Sequence, residues 1–337
     1  MRKRIIPVFI PHTGCPMDCV FCNQKRISGS LLPAGAEDVR RETEAALKKL
    51  PSDARPQIAF YGGSFTAIPM GQQRELLESA QDFIRDGRVS SIRLSTRPDA
   101  IDAERLAFLH EYGVETIELG SQSMDDGVLL ASNRGHTAAD TVRAAELIRS
   151  SGFRLILQMM TGLPGSNDEK DLATARAILS LRPDGVRIYP TVIVRDTALY
   201  DMWRAGRYRE HTVEDAVRVC ARILPLFQAA GIPVIRLGLN PTDELSGGGA
   251  VAGAYHPALG ELVLGRIFRE QARSLLEPLR GAKQVILSVH PSRVSAAIGQ
   301  KKCNVAYFCE TMGIRSLKIV GNEENREEIR VVSVAKA

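Results

Sequence analysis

The chain has 337 residues, of which 44% are hydrophobic and 25% are charged, a composition typical of a globular protein with a full core. Its 44 Lys and Arg residues outnumber 39 Asp and Glu residues and give a formal net charge of +5, which permits contact with nucleic acid without requiring it. Six cysteines are too few for a disulfide scaffold, and no apolar run approaches the roughly 20 residues of a membrane-spanning helix. We therefore expect a protein of the reducing cytoplasm.

Strand and helix patterns alternate along the first 240 residues. Short apolar runs predict seven strands, and the stretches with helical spacing between them predict helices. Strict alternation predicts parallel strands joined by right-handed crossovers. The predicted fold is therefore an α/β protein built on a partial, TIM-like (β/α)6 barrel, with ligands gathered at the carboxyl ends of the strands. The predicted strands are Ile5–Ile10, Gln57–Tyr61, Ile92–Ser95, Thr116–Gly120, Arg154–Met160, Gly185–Tyr189 and Pro233–Leu237.

The alternation stops near residue 240, before a run of three glycines at 247–249 that predicts a loop. We place a domain boundary there, with a core domain over residues 1–240 and a small C-terminal α+β domain over residues 241–337. The second domain has the predicted order helix, strand, helix, helix, strand, strand, at Leu259–Leu279, Gln284–Val289, Ser292–Ile298, Asn304–Met312, Leu317–Val320 and Ile329–Val334.

Three cysteines, Cys15, Cys19 and Cys22, lie within eight residues on the loop that follows the first predicted strand. Geometry prevents all three from pairing with one another as disulfides, whereas three thiolates can converge on a metal. Zinc sites usually have two separated C-x2-C pairs, and the other cysteines of the chain lack that spacing. Thiolates also hold iron–sulfur clusters, and a cubane with three protein ligands leaves one iron open. A partial zinc knuckle and redox-active thiols are the alternatives.

The spacing C-x3-C-x2-C, with Phe21 directly before Cys22, resembles the signature of the radical S-adenosylmethionine (SAM) superfamily. The resemblance implies a 4Fe–4S cluster ligated by the three cysteines, whose open iron binds the amine and carboxylate of SAM. It also implies that an electron from the cluster cleaves SAM to a 5′-deoxyadenosyl radical, which abstracts hydrogen from the substrate.

Two groups of residues follow the second and third predicted strands. The turn Gly62-Gly63-Ser64 lets the backbone approach a ligand closely, although a Gly-Gly turn alone is most often only a turn. Ser95 and Arg97 point to the same face of the third strand. An arginine buried in the barrel needs an anion such as a carboxylate or a phosphate, and a surface pair of Arg97 with Asp99 is the alternative.

Polar residues also mark the fourth and fifth strands. The inner face of the fourth predicted strand has three non-apolar residues, which imply a polar ligand: Glu118, Gly120 and Gln122. Arg134 and His136 lie on the loop that follows, where a proton-transfer role for His136 competes with a capping or surface role. Gln158 is strongly polar in an otherwise apolar fifth strand, so it is a candidate ribose contact or a structural hydrogen-bonding group.

Several consecutive motifs resemble the radical SAM domain of the catalytic subunit of Elongator, over roughly residues 5–240. They are Glu118 to Ser123, Asn133 to Thr137, Arg187 to Val192 and Gly206 to Tyr208. Members of that family modify the wobble uridine of tRNA with acetyl-CoA and SAM. The resemblance implies that Phe21 lies near the adenine of SAM and that seven residues surround SAM: Gly62, Gly63, Ser64, Ser95, Gln122, Arg134 and Gln158.

Two features differ from the Elongator family. The cysteine spacing is shorter and resembles that of oxygen-independent coproporphyrinogen dehydrogenase. We also expect no acetyltransferase domain in the remaining ~100 residues, which are too few and lack its pattern. We therefore do not extend the use of acetyl-CoA or the wobble-uridine product from the Elongator family to this chain.

The stretch Ala297 to Val305 is similar to the loop between two helices of KH domains, which clamps the backbone of single-stranded nucleic acid. Lys302 stands where that loop has its second glycine, and Lys301 and Lys302 suit phosphate groups. The resemblance implies that the C-terminal domain contacts RNA. A basic turn in a small α+β domain is the alternative.

These patterns together predict an enzyme that cleaves SAM and activates a C–H bond, with RNA, and tRNA in particular, as the leading substrate. An electron donor such as flavodoxin or ferredoxin is the expected partner. Two other hypotheses stay open: a reaction on a small molecule of the coproporphyrinogen type, and a non-catalytic iron–sulfur protein that senses iron or oxygen.

Overall fold

The computed structural model describes residues 4–10, 14–15, 17–23, 34–240, 245–325 and 328–335. The chain divides into two compact units, of which the first spans Met1–Thr212 and Leu226–Tyr255 and the second spans Val213–Pro225 and His256–Ala337. The sequence-based division at residue 240 stays a prediction. Every helix within the described part of the chain is too short or too polar to cross a membrane.

The helices and strands alternate through most of the chain. In chain order, the described strands are β1 (Ile5–Phe9), β2 (Gln57–Tyr61), β3 (Ser91–Thr96), β4 (Val114–Gln122), β5 (Arg154–Thr161), β6 (Gly185–Pro190), β7 (Val192–Val194), β8 (Val234–Leu237), β9 (Ala250–Gly253), β10 (Gln284–Val289), β11 (Leu317–Gly321) and β12 (Arg330–Ala335). The described α-helices are α1 (Ala36–Leu47), α2 (Met70–Arg85), α3 (Ala103–Glu111), α4 (Asp126–Ala131), α5 (Ala138–Ser150), α6 (Asp168–Ser180), α7 (Ala198–Arg204), α8 (Val213–Ala229), α9 (Leu259–Leu276), α10 (Val294–Ile298) and α11 (Cys303–Met312).

A seven-stranded parallel sheet forms the centre of the first unit, in the order β1-β2-β3-β4-β5-β6-β8. The sheet curls into a half-barrel, which confirms the partial barrel predicted from the alternation. Helices cover such sheets, so the strands are close to continuous apolar runs. In β5, for example, Leu155, Ile156 and Leu157 are all buried.

Side-chain caps fix the first residues of several helices in this unit. Thr137 and Asp140 form a capping box at the start of α5. Asp102 accepts a hydrogen bond from the third amide of α3, and Asn167 does the same at α6. Each cap satisfies an amide that the first helical turn leaves unpaired, so the capping residue fixes where the helix begins.

The sequence does not predict the antiparallel pair formed by β7 and β9. The three glycines expected in a loop belong to a short helical turn at Leu245–Gly249, and β9 follows directly. The two strands have only three and four residues, which is too short for a periodic pattern to be recognised.

The second unit packs helices against a three-stranded sheet in the order β11-β10-β12. β10 pairs in parallel with β11 and antiparallel with β12. The core of this unit includes Phe268 and Leu276 from α9, Val285 and Leu287 from β10, and Phe308 from α11. The small C-terminal α+β fold predicted from the sequence is thus confirmed.

Candidate active site

A cavity of about 350 Å³ lies at the carboxyl ends of the strands in the first unit. Cys15, Cys19 and Cys22 all line it, together with residues that follow β2, β3 and β4. The carboxyl ends of barrel strands are where ligands bind in folds of this type. The cavity is therefore the candidate active site.

Hydrogen bonds hold the cysteine loop against two neighbouring segments. The amide of Val20 donates to the carbonyl of Ser132 at 3.1 Å, and the carbonyl of Val20 accepts from the amide of Leu199 at 2.7 Å. The side-chain amide of Asn133 donates to the carbonyl of Asp18 at 2.9 Å. The segment that follows α4 and the first turn of α7 thus fix the position of the loop.

Gly14 brings the cysteine loop close to the turn after β2. Its φ is +74°, and a Cβ at this position would lie 2.3 Å from the carbonyl oxygen of Ser64, so only glycine allows the approach. The hydroxyl of Ser64 is buried and accepts from the amide of Arg97 at 3.1 Å. Ser64 therefore supports the turn from behind the cavity wall, whereas Gly62 and Gly63 line the cavity.

Two buried arginines lie beside the cysteines. Arg134 donates from Nη1 to the sulfur of Cys19 at 3.3 Å and from Nη2 to the carbonyl of Gly120 at 2.8 Å. Arg97 makes the pair with Asp99 that was the alternative to anion binding, at 2.9 and 2.7 Å, but its side chain is only 3% exposed and lines the cavity. In the described part of the chain, Nε of Arg134 and Nη1 of Arg97 have no hydrogen-bond partner. Both nitrogens would be satisfied by an anion in the cavity.

A bulge in β4 shapes a further part of the cavity wall. The register between β4 and β5 shifts between Gly120 and Gln122, and Gln122 has a φ of +61°. A Cβ on Gly120 would lie 2.8 Å from both Nη2 of Arg134 and Nε2 of Gln122. The absence of a side chain at position 120 thus leaves room for two polar side chains at the cavity.

Glu118 lies fully buried at the floor of the cavity and joins side chains from four other strands. Its carboxylate accepts from the hydroxyl of Tyr61 at 2.7 Å and from Nη1 of Arg93 at 2.7 Å. It also accepts from Nε of Arg187 at 2.6 Å and from Nε2 of Gln158 at 3.1 Å. Burial alone would raise the pKa of Glu118, but Arg187 and Arg93 hold the pKa below its usual value, so the carboxylate is ionised.

Comparison with known proteins identifies the fold and its chemistry. The family model of the radical SAM superfamily matches residues 9–178, and that of the radical SAM C-terminal domain matches residues 183–269. The chain belongs to the radical SAM superfamily. It is accordingly a radical SAM enzyme, and the superfamily uses a 4Fe–4S cluster and SAM.

The relatives of this radical SAM enzyme include Elongator complex protein 3 of Mus musculus, which is 32% identical over 50% of this chain and 35% of the mouse protein. The tRNA uridine(34) acetyltransferase of Methanocaldococcus jannaschii is 28% identical over 53% of this chain and 37% of that protein. The chain thus spans little more than a third of these relatives. The solved structure of Elp3 from Methanocaldococcus infernus has a TM-score of 0.63 and 22% identity over 80% of this chain and 64% of that chain, which supports the fold.

The residues of the cavity fit the cofactors of the superfamily. No three metal-binding side chains of the described residues are close enough to hold a single ion. A cubane makes a different demand, because it spreads its thiolate ligands over separate irons. Three cysteines on one loop, beside two buried cations with unpartnered nitrogens, fit a negatively charged cluster and the carboxylate of SAM. The predicted SAM contacts that line the cavity are Phe21, Gly62, Gly63, Ser95, Gln122, Arg134 and Gln158.

The assignment of each residue to SAM or to the cluster stays a prediction. This applies to Ser64 as well, whose hydroxyl is used within the protein. His136 is buried outside the residues that line the cavity, with Nε2 at 3.2 Å from the carbonyl of Ser121. Burial and the charge of Arg134 lower the pKa of His136 to about 4, so the imidazole is neutral near pH 7. A neutral, buried ring does not favour the proton-transfer role.

Tyr61, Arg187 and Tyr189 are among the residues that line the cavity without having been predicted as site residues, although Arg187 and Tyr189 belong to one of the motifs that resemble Elongator. A signal for two of them exists, because Arg187 and Tyr189 are polar residues two positions apart in an apolar strand and so share one face of β6. Tyr61 is the last residue of β2 and gives no comparable signal.

The loop Gly299–Lys302 between α10 and α11 is a second candidate site, within the second unit. Lys301 and Lys302 have φ values of +51° and +60°, in the left-handed region that glycine adopts most readily. Asn304 is buried and donates to the carbonyl of Ala297 at 3.1 Å, which holds the loop against α10. Both lysine side chains are exposed, so they are available to phosphate groups.

Proposed function

We propose that this radical SAM enzyme binds its 4Fe–4S cluster through Cys15, Cys19 and Cys22 and activates a C–H bond of RNA. One observation supports the proposal: the three cysteines line the same cavity as the Gly62–Gly63 turn and Arg134. The bound cluster supplies the electron that cleaves SAM. Both a transferase and an oxidoreductase reaction are compatible with this chemistry.

Each residue around the cysteines has a distinct task in this proposal. Arg134 offsets negative charge beside the cluster. Arg97 binds the carboxylate of SAM through its unpartnered Nη1. The Gly62–Gly63 turn accepts the methionine amine through backbone carbonyls, since no side chain blocks it. Gln158 donates to the ionised Glu118, so its own carbonyl oxygen is left to accept a ribose hydroxyl.

RNA, and tRNA in particular, is the proposed substrate. The name of the relative from M. jannaschii, tRNA uridine(34) acetyltransferase, supports tRNA, but acetyl transfer is not extended to a chain that covers 37% of that protein. The exposed Lys301 and Lys302 would bind phosphates of the RNA backbone. The thiolate ligands imply a reducing cytoplasm, where a flavodoxin or ferredoxin would supply the electron.

Anaerobic reconstitution of the full chain tests the cluster and the chemistry. We expect about four irons for each chain and, after addition of dithionite, formation of 5′-deoxyadenosine from SAM. Cys15→Ala, Cys19→Ala and Cys22→Ala should each lose both properties. The matched control Cys303→Ala, which changes an exposed cysteine of the second unit, should keep both. A cluster that cleaves no SAM would overturn the catalytic proposal and support a non-catalytic sensor.

Salt-dependent binding of tRNA tests the substrate. The double variant Lys301→Glu/Lys302→Glu should weaken tRNA binding by at least about tenfold, because two phosphate contacts become repulsive. The matched control is Lys48→Glu/Lys49→Glu, an exposed pair of lysines after α1, which should bind as the wild type does. Intact SAM cleavage without any tRNA binding would instead favour a small-molecule reaction. Mass spectrometry of nucleosides from wild-type and deletion cells would identify the modified base.

A further inference from the structure

Two arginines and one carboxylate form a buried group at and behind the floor of the cavity in the first unit. Arg93 and Arg187 both donate to Glu118, and all three side chains are largely buried. The two guanidinium groups share one carboxylate, and a further carboxylate, Glu115, lies on the side of Arg93, where it accepts from Nε2 of Gln57 at 3.0 Å. A buried positive charge is costly unless a group of opposite charge lies beside it.

The two arginines differ in their access to the cavity. Arg187 lines the cavity, whereas Arg93 does not and donates its Nε to Gln57 at 3.1 Å. The positive charge of this group can therefore meet a ligand at Arg187. Arg93 provides a matched internal comparison, since it makes the same kind of contact with Glu118 from behind the cavity wall.

Neighbouring groups hold the guanidinium of Arg187 in one orientation. Nε and Nη2 donate to the two oxygens of Glu118 at 2.6 and 3.0 Å, and Nη2 also donates to the hydroxyl of Tyr61 at 3.0 Å. The ring centroid of Tyr61 lies 5.7 Å from Cζ of Arg187. Tyr189, two residues along β6, lines the same cavity, and its hydroxyl is hydrogen-bonded to Arg187. A guanidinium held in this way is oriented to bind the oxygens of an anion, whether a planar carboxylate or a tetrahedral phosphate.

We propose that Arg187 and Tyr189, with Tyr61 and Glu118 holding the guanidinium of Arg187 in place, form an oxyanion subsite that binds a carboxylate or phosphate of the molecule on which the enzyme acts. The subsite is built by other residues than Arg97 and Arg134, which lie beside the cysteines. It rests on the proposed function, because the oxyanion belongs to a molecule that shares the cavity with SAM. The chemistry of the floor thus selects a substrate that carries an anionic group near its reacting C–H bond over a neutral apolar substrate.

Titration of the full chain with ¹³C-labelled acetate, and separately with inorganic phosphate, tests the subsite. We expect saturable binding of at least one anion, weakened at least about tenfold by Arg187→Gln and less than about twofold by Arg93→Gln. Arg187→Lys, which keeps the charge, should restore part of the affinity. A preference for acetate indicates a carboxylate on the substrate, and a preference for phosphate indicates a nucleotide phosphate.

Three outcomes would overturn the subsite. They are no saturable binding to the wild type, equal losses in Arg187→Gln and Arg93→Gln, and a loss caused by Arg97→Gln while Arg187→Gln binds normally. Tyr189→Phe removes only a hydroxyl and supplies a second test if Arg187→Gln does not fold; we expect roughly two- to fivefold weaker binding from the loss of one hydrogen bond. The titration contains neither SAM nor a reductant, so a failure of SAM cleavage leaves its result unaffected.

Discussion

Arg134 joins the cysteine loop to the bulge of β4, because its guanidinium donates to the sulfur of Cys19 at 3.3 Å and to the carbonyl of Gly120 at 2.8 Å. The arginine and the cysteine are 115 positions apart in the sequence. The guanidinium therefore places a positive charge beside a predicted cluster ligand. With its Nε unpartnered within the described residues, Arg134 also has a donor left for a ligand.

Replacing Arg134 with glutamine should weaken SAM binding to the reconstituted enzyme by roughly tenfold or more, since a hydrogen bond to a charged group contributes about 1.5–3 kcal/mol. Anaerobic equilibrium binding of SAM measures the effect. Arg88→Gln is the matched control, because Arg88 is an exposed arginine paired with Glu44 in the same unit. Equal affinities for the two variants would contradict a ligand-directed role of Arg134.

Gly120→Ala should disturb the cavity without touching the cysteines. The added Cβ would lie 2.8 Å from Nη2 of Arg134 and from Nε2 of Gln122, so both side chains must move. We expect a loss of about 1–3 kcal/mol in the free energy of unfolding and weaker SAM binding. Gly71→Ala in α2 is the control, as a Cβ there meets nothing within 4 Å. Wild-type behaviour of Gly120→Ala would show that the wall tolerates a side chain at this position.

The strands could be predicted because each one is buried by its neighbours and by helices, which leaves an apolar run in the sequence. Leu155 to Leu157 is an example. The bulge at Ser121 could not be predicted, because an inserted residue changes the register without changing the local pattern. The contact of Glu118 with Arg187 joins residues 69 positions apart, and no periodicity reveals such a pair.

In the candidate site, too, local patterns could be predicted and long-range contacts could not. The spacing of Cys15, Cys19 and Cys22 is short and local, so it predicts a cluster site without knowledge of the fold. The tight approach of Gly14 to Ser64 depends on where two separate loops end, so its glycine had no recognisable role before the fold was known. Local patterns thus predict which segments reach the cavity, and tertiary packing decides which atoms face it.

Glu118→Gln should destabilise the first unit strongly. The change leaves Arg93 and Arg187 buried without a carboxylate, and removing one partner of a buried ion pair costs about 3–5 kcal/mol. Denaturant unfolding monitored by circular dichroism measures the difference. Glu44→Gln, which removes an exposed carboxylate from its pair with Arg88, should change the free energy of unfolding by at most about 1 kcal/mol. A loss no larger than that of the control would contradict the buried-charge account.

Asp171 should make stability depend on pH. Burial raises its pKa to about 6, although hydrogen bonds from the hydroxyl of Ser166 and the amide of Gly162 oppose the rise. Because this folded-state pKa exceeds the unfolded value of 3.8, the stabilisation is complete below about pH 4 and is lost as the pH rises through 6. In the wild type, this effect should lower the free energy of unfolding by about 3 kcal/mol between pH 4 and 7, and Asp171→Asn should remove it. Denaturant unfolding at a series of pH values measures the effect. The account would be contradicted if the free energy of unfolding changed with pH in the same way in the wild type and in Asp171→Asn.

Lys302→Gly should stabilise the second unit and weaken its contact with RNA. The φ of Lys302 is +60°, a conformation that glycine adopts without strain, so we expect the free energy of unfolding to rise by up to about 1 kcal/mol. The loss of one positive charge should reduce tRNA affinity and lower its salt dependence by about one phosphate contact. Lys318→Gly in β11 is the control, since an exposed strand residue with ordinary φ should lose about 0.5–1 kcal/mol instead. If both variants were destabilised equally, Lys302 would not hold the left-handed conformation, and the likeness of the loop Gly299–Lys302 to a glycine-containing clamp would lose its physical basis.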